Sequence, residues 1–202
     1  MESEKNSEAL AKDYCWRSAL KSAISKNRRD AHNRYLQLAT VRPDGSPAVR
    51  SLVFRGFDAG SATLAMITDL RSQKVAEIAT RAKGEVCWYF THTREQFRLA
   101  GTLTLTGEGD EDQHTRQALW SSLSDAARSQ FYWPEPRLPL DDETPVDERG
   151  LTFKVENPPA VFLALHLGVL AVDHLRLRGQ PQSRWISKLD ASENWVNEPV
   201  NP

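Results

Sequence analysis

The sequence predicts an α+β fold in which an antiparallel β-barrel carries helices at its edges. Six or seven strands are expected, because apolar and polar residues alternate along the chain with the period of two that is typical of half-buried strands. Most of these segments are separated by short turns, such as RPDGSP at 42–47 with Asp-Gly at its centre. Strands joined by hairpins pair antiparallel, which argues against a doubly wound parallel sheet.

Helices are expected where apolar residues recur three or four positions apart, at 15–27, 72–81 and 111–131. The segments with strand character are residues 35–41, 48–57, 63–69, 85–92, 96–108, 160–167, 169–177 and 183–189. A hairpin turn should separate the strands at 160–167 and 169–177. Residues 1–13 are expected to be a frayed polar leader, and the acidic, proline-rich segment 133–150 a surface loop.

The size and composition fit one domain that spans residues 1–202. Of the 202 residues, 40% are hydrophobic, and the 26 basic and 27 acidic side chains nearly cancel. Binding to nucleic acid or to a membrane surface is not expected, because such proteins carry a basic excess. No apolar run approaches the roughly 20 residues of a membrane span. The charged N-terminus lacks a signal-peptide core, so we expect a cytoplasmic protein.

Several kinds of catalytic motif are absent from the sequence. It contains neither GxxxxGK[ST] nor GxGxxG, and its five histidines do not have the spacing of metal ligands. Its serines lack the GxSxG context of a hydrolase nucleophile. No metal site is therefore predicted, and no catalytic acid or base can be named.

The first of two basic clusters lies in the strand PAVRSLVFR. Arg50 and Arg55 interrupt a mostly apolar run there, and they point to opposite faces if the strand is regular. Burying an unpaired guanidinium is costly, so an anion would be a suitable partner. The alternative is that both arginines face solvent and pair with carboxylates.

The second basic cluster, in ITDLRSQK, lies where a strand gives way to the helix expected at 72–81. Thr68 ends the strand, and Ser72, Gln73 and Lys74 open the helix. Free N–H groups at a helix start, a hydroxyl and a lysine together suit a phosphate. The alternative is an ordinary surface helix capped by serine.

The order of these motifs resembles the FMN-binding motifs of pyridoxamine 5′-phosphate oxidases. R-x-L-V-F-R on a strand, T-D-L-R-S-Q-K at a helix start and E-Q-F-R-x-x-G on a later strand look like the oxidase-like branch with an FMN-binding domain, rather than the authentic oxidases. The resemblance covers about residues 15–109, with a weaker echo at PQSRWI near the C-terminus. It implies an antiparallel split β-barrel that binds FMN between the two barrels of a homodimer.

The resemblance also assigns residues to the cofactor. The start of the helix at 72–74 would hold the phosphate together with Arg50, although the family often has Arg where Gln73 stands, and Arg71 would then compensate. Gln96 would hydrogen-bond the isoalloxazine. The full set of implied FMN contacts is Arg50, Ser51, Leu52, Val53, Arg55, Ile67, Thr68, Ser72, Gln73, Lys74, Gln96 and Arg184.

The substrate site departs from that of the authentic oxidases. Their C-terminal Arg-x-His is Gln-Pro-Gln at 180–182, their motif-ending lysine is Arg55, and their Tyr and Arg contacts fall near Ser121 and Asp125. The resemblance therefore implies an FMN-dependent oxidoreductase of unknown substrate. The alternatives are a non-enzymatic flavin-binding protein, a true pyridoxamine 5′-phosphate oxidase and a cofactor-free interaction module.

Apolar residues on both faces of strands give independent support for a homodimer. They occur in VCWYF and AVFLALHL, whereas one small barrel has a single interior to fill. The aromatic residues of a kind enriched at interfaces are Trp120, Phe131, Tyr132, Trp133 and Trp185. The alternative is a monomer whose outer face is covered by the helices at 15–27 and 111–131.

Overall fold

The computed structural model of the chain describes residues 14–58, 61–139 and 156–202. Its strands are β1 (Tyr35–Val41), β2 (Pro47–Val53), β3 (Gly56–Phe57), β4 (Thr63–Asp69), β5 (Lys83–Phe90), β6 (Glu95–Thr106), β7 (Phe162–Arg176), β8 (Ser183–Leu189) and β9 (Trp195–Val200). Its α-helices are α1 (Trp16–Lys26), α2 (Gln73–Thr80), α3 (Gln113–Ser121) and α4 (Asp125–Ser129). None of the helices in these residues is long and apolar enough to cross a membrane.

The strands form an antiparallel sheet with the order β2-β1-β5-β6-β7-β4-β3, and β8 and β9 continue from β7. β7 joins the two parts of the sheet, because its first half pairs with β4 and its second half with β8, while β6 follows it along most of its length. The strand path curves without closing, so the sheet is a split barrel. The α+β architecture expected from the sequence is confirmed.

The main hydrophobic core fills the interior of this barrel. Alternation in β1 places Leu36, Leu38 and Thr40 inward, and all three are buried. α1 adds Trp16 and Leu20 to the same core, at the helical spacing read from the sequence. Burying each large side chain of this kind contributes roughly 1.5–3 kcal/mol, so this core is a main source of stability.

A second hydrophobic cluster covers the other face of the first half of β7. Phe162 and Ala164 pack there against Trp120 of α3 and against Phe131, with the rings of Trp120 and Phe162 5.0 Å apart between centroids. Every residue from 162 to 167 is consequently buried within one copy of the chain. The use of AVFLALHL, Trp120 and Phe131 as evidence for a partner surface was therefore wrong.

The hairpin expected between residues 160–167 and 169–177 does not exist. β7 runs without interruption through Gly168, the residue between the two expected strands. Glycine is required at Gly101 of β6, next to a register shift, because the backbones of β6 and β7 approach closely there. A Cβ atom at Gly101 would lie 2.0 Å from the carbonyl oxygen of Gly168, so a side chain cannot be accommodated.

The helix expected at 111–131 is broken into two helices and a 3₁₀ turn. α3 ends at Ser121, and Ser124 then begins α4 by accepting a hydrogen bond from the backbone N–H of Ala127. Serine side chains compete in this way with continuation of a helix. The leader at 1–13 and most of the loop at 133–150 lie outside the described residues, so both stay predictions.

Candidate functional site

The start of α2 brings a lysine together with two hydroxyl groups. Lys74 Nζ donates to Thr68 Oγ1 at 3.0 Å and to Ser72 Oγ at 2.9 Å, and the two hydroxyl oxygens are 3.2 Å apart. Ser72 is the N-cap residue, but its side chain makes no capping hydrogen bond. Its hydroxyl faces the lysine instead, which argues against an ordinary serine-capped surface helix.

The ammonium group of Lys74 is poorly compensated. Burial lowers its pKa, the nearby charge of Arg50 lowers it further, and Asp69 and Glu77 only partly oppose this. Among the described residues, no carboxylate forms an ion pair with Lys74. A partly buried cation held by hydroxyl groups is a suitable contact for an anion.

Arg50 approaches the same helix from β2. It is paired with Leu38 across the sheet and so shares the inward side with Leu38. Its Nη2 donates to Glu77 Oε2 at 2.5 Å, its Nη1 donates to the Thr40 hydroxyl, and Thr40 Oγ1 donates to Glu77 Oε2 at 2.5 Å. Arg50 therefore has a carboxylate partner, but that partner is buried rather than at the surface.

Glu77 remains ionised in this setting. It is 3% exposed, and burial alone would raise its pKa. The hydrogen bonds from Thr40 and Arg50, together with the charge of Arg50, instead lower the pKa below its usual value. The site thus contains a fixed negative charge that the sequence reasoning missed.

Arg71 does not join this group. Its Nε and Nη2 donate to the two carboxylate oxygens of Asp69 at 2.9 and 2.6 Å, and its Nη1 donates to the carbonyl of Trp133 at 2.8 Å. The expected compensation by Arg71 for the arginine missing at position 73 therefore has no support in the geometry. Gln73 itself is exposed as the first residue of α2.

Gln96 and Arg184 lie on the outward side of the sheet. Gln96 of β6 is paired with Leu175 of β7, and Leu175 is paired with Arg184 of β8, so the three residues form one row. Glu95 precedes Gln96 and His174 precedes Leu175, and both of these preceding side chains face inward, where His174 Nε2 lies 3.0 Å from Glu95 Oε2. Alternation thus places Gln96 on the opposite side of the sheet from Arg50.

Arg184 is held by a second carboxylate that the sequence reasoning missed. Its Nε and Nη2 donate to the two oxygens of Asp173 at 2.8 and 2.6 Å. The hydrogen bonds from Arg184 lower the pKa of Asp173, and its charge adds to the effect. Arg98 Nη1, 3.6 Å from Asp173, extends this network towards β5.

The remaining candidate residues are spread around the first group. Ser51 is exposed on the outward side, whereas Leu52 packs against the main core. Arg50 and Arg55 were expected on opposite faces only if one regular strand contained both. β2 ends at Val53, so Arg55 lies outside the strand and that condition is not met. The side chain of Ile67 packs against the second hydrophobic cluster.

The sequence did contain signals for two of the missed residues. Thr40 occupies an inward position of an otherwise apolar alternating strand, where a hydroxyl requires a partner. Glu77 follows Lys74 by three residues and so lies near the same face of the helix. A polar residue at an inward position and a carboxylate near a candidate cation are the patterns that would have revealed them.

Comparisons of sequence identify the relatives of this chain. Residues 13–107 match the family model described as pyridoxamine 5′-phosphate oxidase, FMN-binding domain. The chain is 32% identical over 192 residues to pyridoxine/pyridoxamine 5′-phosphate oxidase 2 of Arabidopsis thaliana, covering 93% of this chain and 96% of that protein. A pyridoxine/pyridoxamine 5′-phosphate oxidase of Rhizobium meliloti (strain 1021) is 35% identical over 77 residues, which are 38% of this chain and 36% of that protein.

Comparison with solved structures indicates the same family as the comparison of sequences. A pyridoxamine 5′-phosphate oxidase-related, FMN-binding protein from Nostoc punctiforme PCC 73102 matches with a TM-score of 0.88 and 45% identity, covering 94% of this chain and 98% of that one. PhzG from Burkholderia lata 383 matches with a TM-score of 0.77 at 18% identity, covering 92% and 91%, a likeness of fold alone. The chain therefore belongs to the pyridoxamine 5′-phosphate oxidase-related family of FMN-binding proteins, and FMN is its cofactor.

Proposed function

We propose that the protein is an FMN-dependent oxidoreductase whose substrate site differs from that of pyridoxamine 5′-phosphate oxidases. When bound, FMN supplies the redox chemistry, while the protein supplies orientation and electrostatics. The names of the relatives support an oxidase-type activity, since the Arabidopsis thaliana protein is called an oxidase. The motifs shared with that family support a common way of holding the flavin.

The observation that carries the proposal is the partly buried Lys74 at the start of α2. It has hydroxyl partners at 2.9 and 3.0 Å and, within the described residues, no carboxylate ion pair. An ammonium, a guanidinium, two hydroxyls and the free N–H groups of a helix start form a donor set that fits a phosphate dianion. Lys74, Ser72, Thr68 and Arg50 would hold the FMN phosphate.

We also propose that the flavin site is shared between two copies of the chain. Arg50, one of the residues proposed to hold the phosphate, faces inward from the sheet. Gln96 and Arg184 lie on the outward side of the sheet. One copy therefore does not bring all the family's flavin contacts to one place. A second copy, docked by its outward side, would supply Gln96 and Arg184 to the flavin held by the first.

The outward side of the sheet has the character of a docking surface. Four large side chains with 40–69% exposure lie around it, namely Tyr35, Val49, Tyr89 and Leu170. Leu170 lines a shallow groove of about 500 Å³ whose other lining residues include the small residues Ala39, Gly84, Ala100 and Ala171. Removing these apolar groups from water would favour association of two copies.

The substrate of this oxidoreductase should differ from pyridoxamine 5′-phosphate. The turn between β7 and β8 presents exposed Gln180 and Gln182, which carry no charge with which to grip a phosphate. Ser121 and Asp125, near the family's other substrate contacts, are exposed, and Asp125 would repel an anion. The name of the Arabidopsis thaliana relative is the observation that favours a true pyridoxamine 5′-phosphate oxidase as the second candidate.

The absorption spectrum of the purified protein, before and after addition of FMN, tests the cofactor. Anaerobic addition of NAD(P)H followed by oxygen then tests the chemistry. We expect a flavin spectrum that bleaches and recovers. A flavin that is bound but not reduced would point to a flavin-binding protein without catalysis. A colourless protein that ignores added FMN would contradict the assignment and favour a cofactor-free interaction module.

A further inference from the structure

We propose that Glu77 is a positioning residue for flavin binding, which fixes Arg50 so that its free N–H groups face the phosphate. This inference rests on the proposed function, because it assumes that FMN lies at the start of α2. Glu77 would touch neither the cofactor nor the substrate. It would act through Arg50 and through the hydroxyl of Thr40.

The contacts leave part of the guanidinium free. Nη1 of Arg50 is used by Thr40 and, at 3.4 Å, by the carbonyl of Leu38, while Nη2 donates to Glu77. Among the described residues, Nε–H and the second Nη2–H form no hydrogen bond. Two donors in a fixed plane therefore remain for a ligand, which is the arrangement suited to phosphate oxygens.

Glu77 has two opposing effects on an anionic ligand. Its charge reduces the positive potential of Arg50 and Lys74, which by itself weakens binding of a phosphate. Its hydrogen bond holds a long side chain in one rotamer, which strengthens binding by removing an entropic cost. The two effects predict opposite changes in FMN affinity when the carboxylate becomes an amide.

The geometry indicates that positioning is the stronger effect. Arg50 and Lys74 are close enough for the charge of Arg50 to lower the pKa of Lys74, so the two cations repel each other. Glu77 is 3% exposed and lies against Arg50 at 2.5 Å, where it offsets this repulsion. Without that charge, Arg50 would turn towards water, because a partly buried and unpaired guanidinium is unfavourable.

The test is calorimetric titration of FMN and riboflavin into the apo-forms of four proteins. These are the unaltered protein, Glu77→Gln, Arg50→Ala and the double variant. We expect Glu77→Gln to weaken FMN binding about tenfold and riboflavin binding less than about twofold. In the double variant, FMN affinity should equal that of Arg50→Ala, because Glu77 has nothing left to position.

Thr40→Val provides a second variant that keeps every charge and removes only the hydroxyl between Arg50 and Glu77. It should weaken FMN binding about threefold and leave riboflavin unaffected, and it decides the question if Glu77→Gln does not fold. The matched control is Glu193→Gln, which makes the same change of a carboxylate to an amide at an exposed position between β8 and β9 and should change neither affinity.

Tighter FMN binding by Glu77→Gln would show that charge outweighs positioning and would overturn the inference. Equal losses for FMN and riboflavin, or losses that add in the double variant, would show a merely structural role and overturn it too. If the unaltered protein itself binds riboflavin as tightly as FMN, the phosphate site is wrong. Failure of the phosphate site can thus be distinguished from failure of the Glu77 inference, because it is measured on the unaltered protein before any variant is compared.

Discussion

Replacing Lys74 by methionine should weaken FMN binding without weakening the fold. The substitution keeps the length of the side chain and removes the ammonium group. A hydrogen bond to a charged group contributes about 1.5–3 kcal/mol, so the dissociation constant for FMN should rise about 10- to 150-fold. Riboflavin lacks the phosphate, and its affinity should stay within about twofold of the original.

The stability of the apo-protein gives this prediction a second readout. Burial lowers the pKa of Lys74 in the folded state, so its charged form opposes folding. Below the lowered pKa, the folded protein carries this unfavourable charge in full. As the pH rises through that pKa towards the unfolded value, the proton is lost and the unfavourable effect disappears. Lys74→Met should therefore be at least as stable as the original protein at pH 7. The difference in stability between the two proteins should become smaller at alkaline pH, where Lys74 loses its charge.

Calorimetric titration at pH 7 measures both affinities, and thermal unfolding of the apo-forms between pH 7 and pH 10 measures stability. Lys26→Met, which removes an exposed lysine at the end of α1, is the control and should change neither flavin affinity. An unchanged dissociation constant for FMN would refute the phosphate assignment. A loss shared equally by riboflavin would show that Lys74 supports the shape of the site rather than the phosphate.

Three further outcomes are expected. Pyridoxamine 5′-phosphate should be turned over poorly, as measured by formation of the aldehyde, and rapid turnover would show that residues other than 180–182 grip it. Light scattering during gel filtration should give twice 22.8 kDa with FMN bound, whereas a mass of 22.8 kDa would refute the shared site. Gly101→Ala should lower the free energy of unfolding by about 3 kcal/mol, because its Cβ would lie 2.0 Å from the Gly168 carbonyl oxygen. Gly168→Ala, whose nearest contact would be 3.8 Å away, is the milder comparison, and equal losses would contradict the steric explanation.

The family and most of the strands could be predicted from the sequence because both depend on local order. Alternation over seven residues fixes which side chains of β1 face inward, whatever the rest of the chain does. The motifs around Arg50, Lys74 and Gln96 occur in sequence in the order in which the family uses them, and the FMN-binding family they indicated is confirmed.

For the long apolar segments, the local order of residues was insufficient to predict what covers each face of the strand. A run such as AVFLALHL is compatible with a strand buried on both faces by its own chain or with a strand that seeks a partner. The choice was made by Trp120 of α3 and Phe131 of the following 3₁₀ turn, which pack onto β7 and bury Phe162 and Ala164. Likewise, Gly168 lies between two strand-like segments, where a turn would be expected, and only its pairing with Thr63 of β4 and Thr102 of β6 shows that β7 continues through it.

The sequence alone determined which residue types are available to a flavin, since a lysine, an arginine and hydroxyls at the start of a helix suit a phosphate whatever the fold. The tertiary structure decided how they are used. Arg50 and Glu77 are 27 residues apart, and their pairing exists only because α2 packs against β1, the strand next to β2. The separation of Lys74 from Gln96 and Arg184 onto different sides of the sheet is also a tertiary property. Strand pairing between segments distant in sequence and the packing of helices against the sheet set these distances, and local patterns along the chain do not fix either.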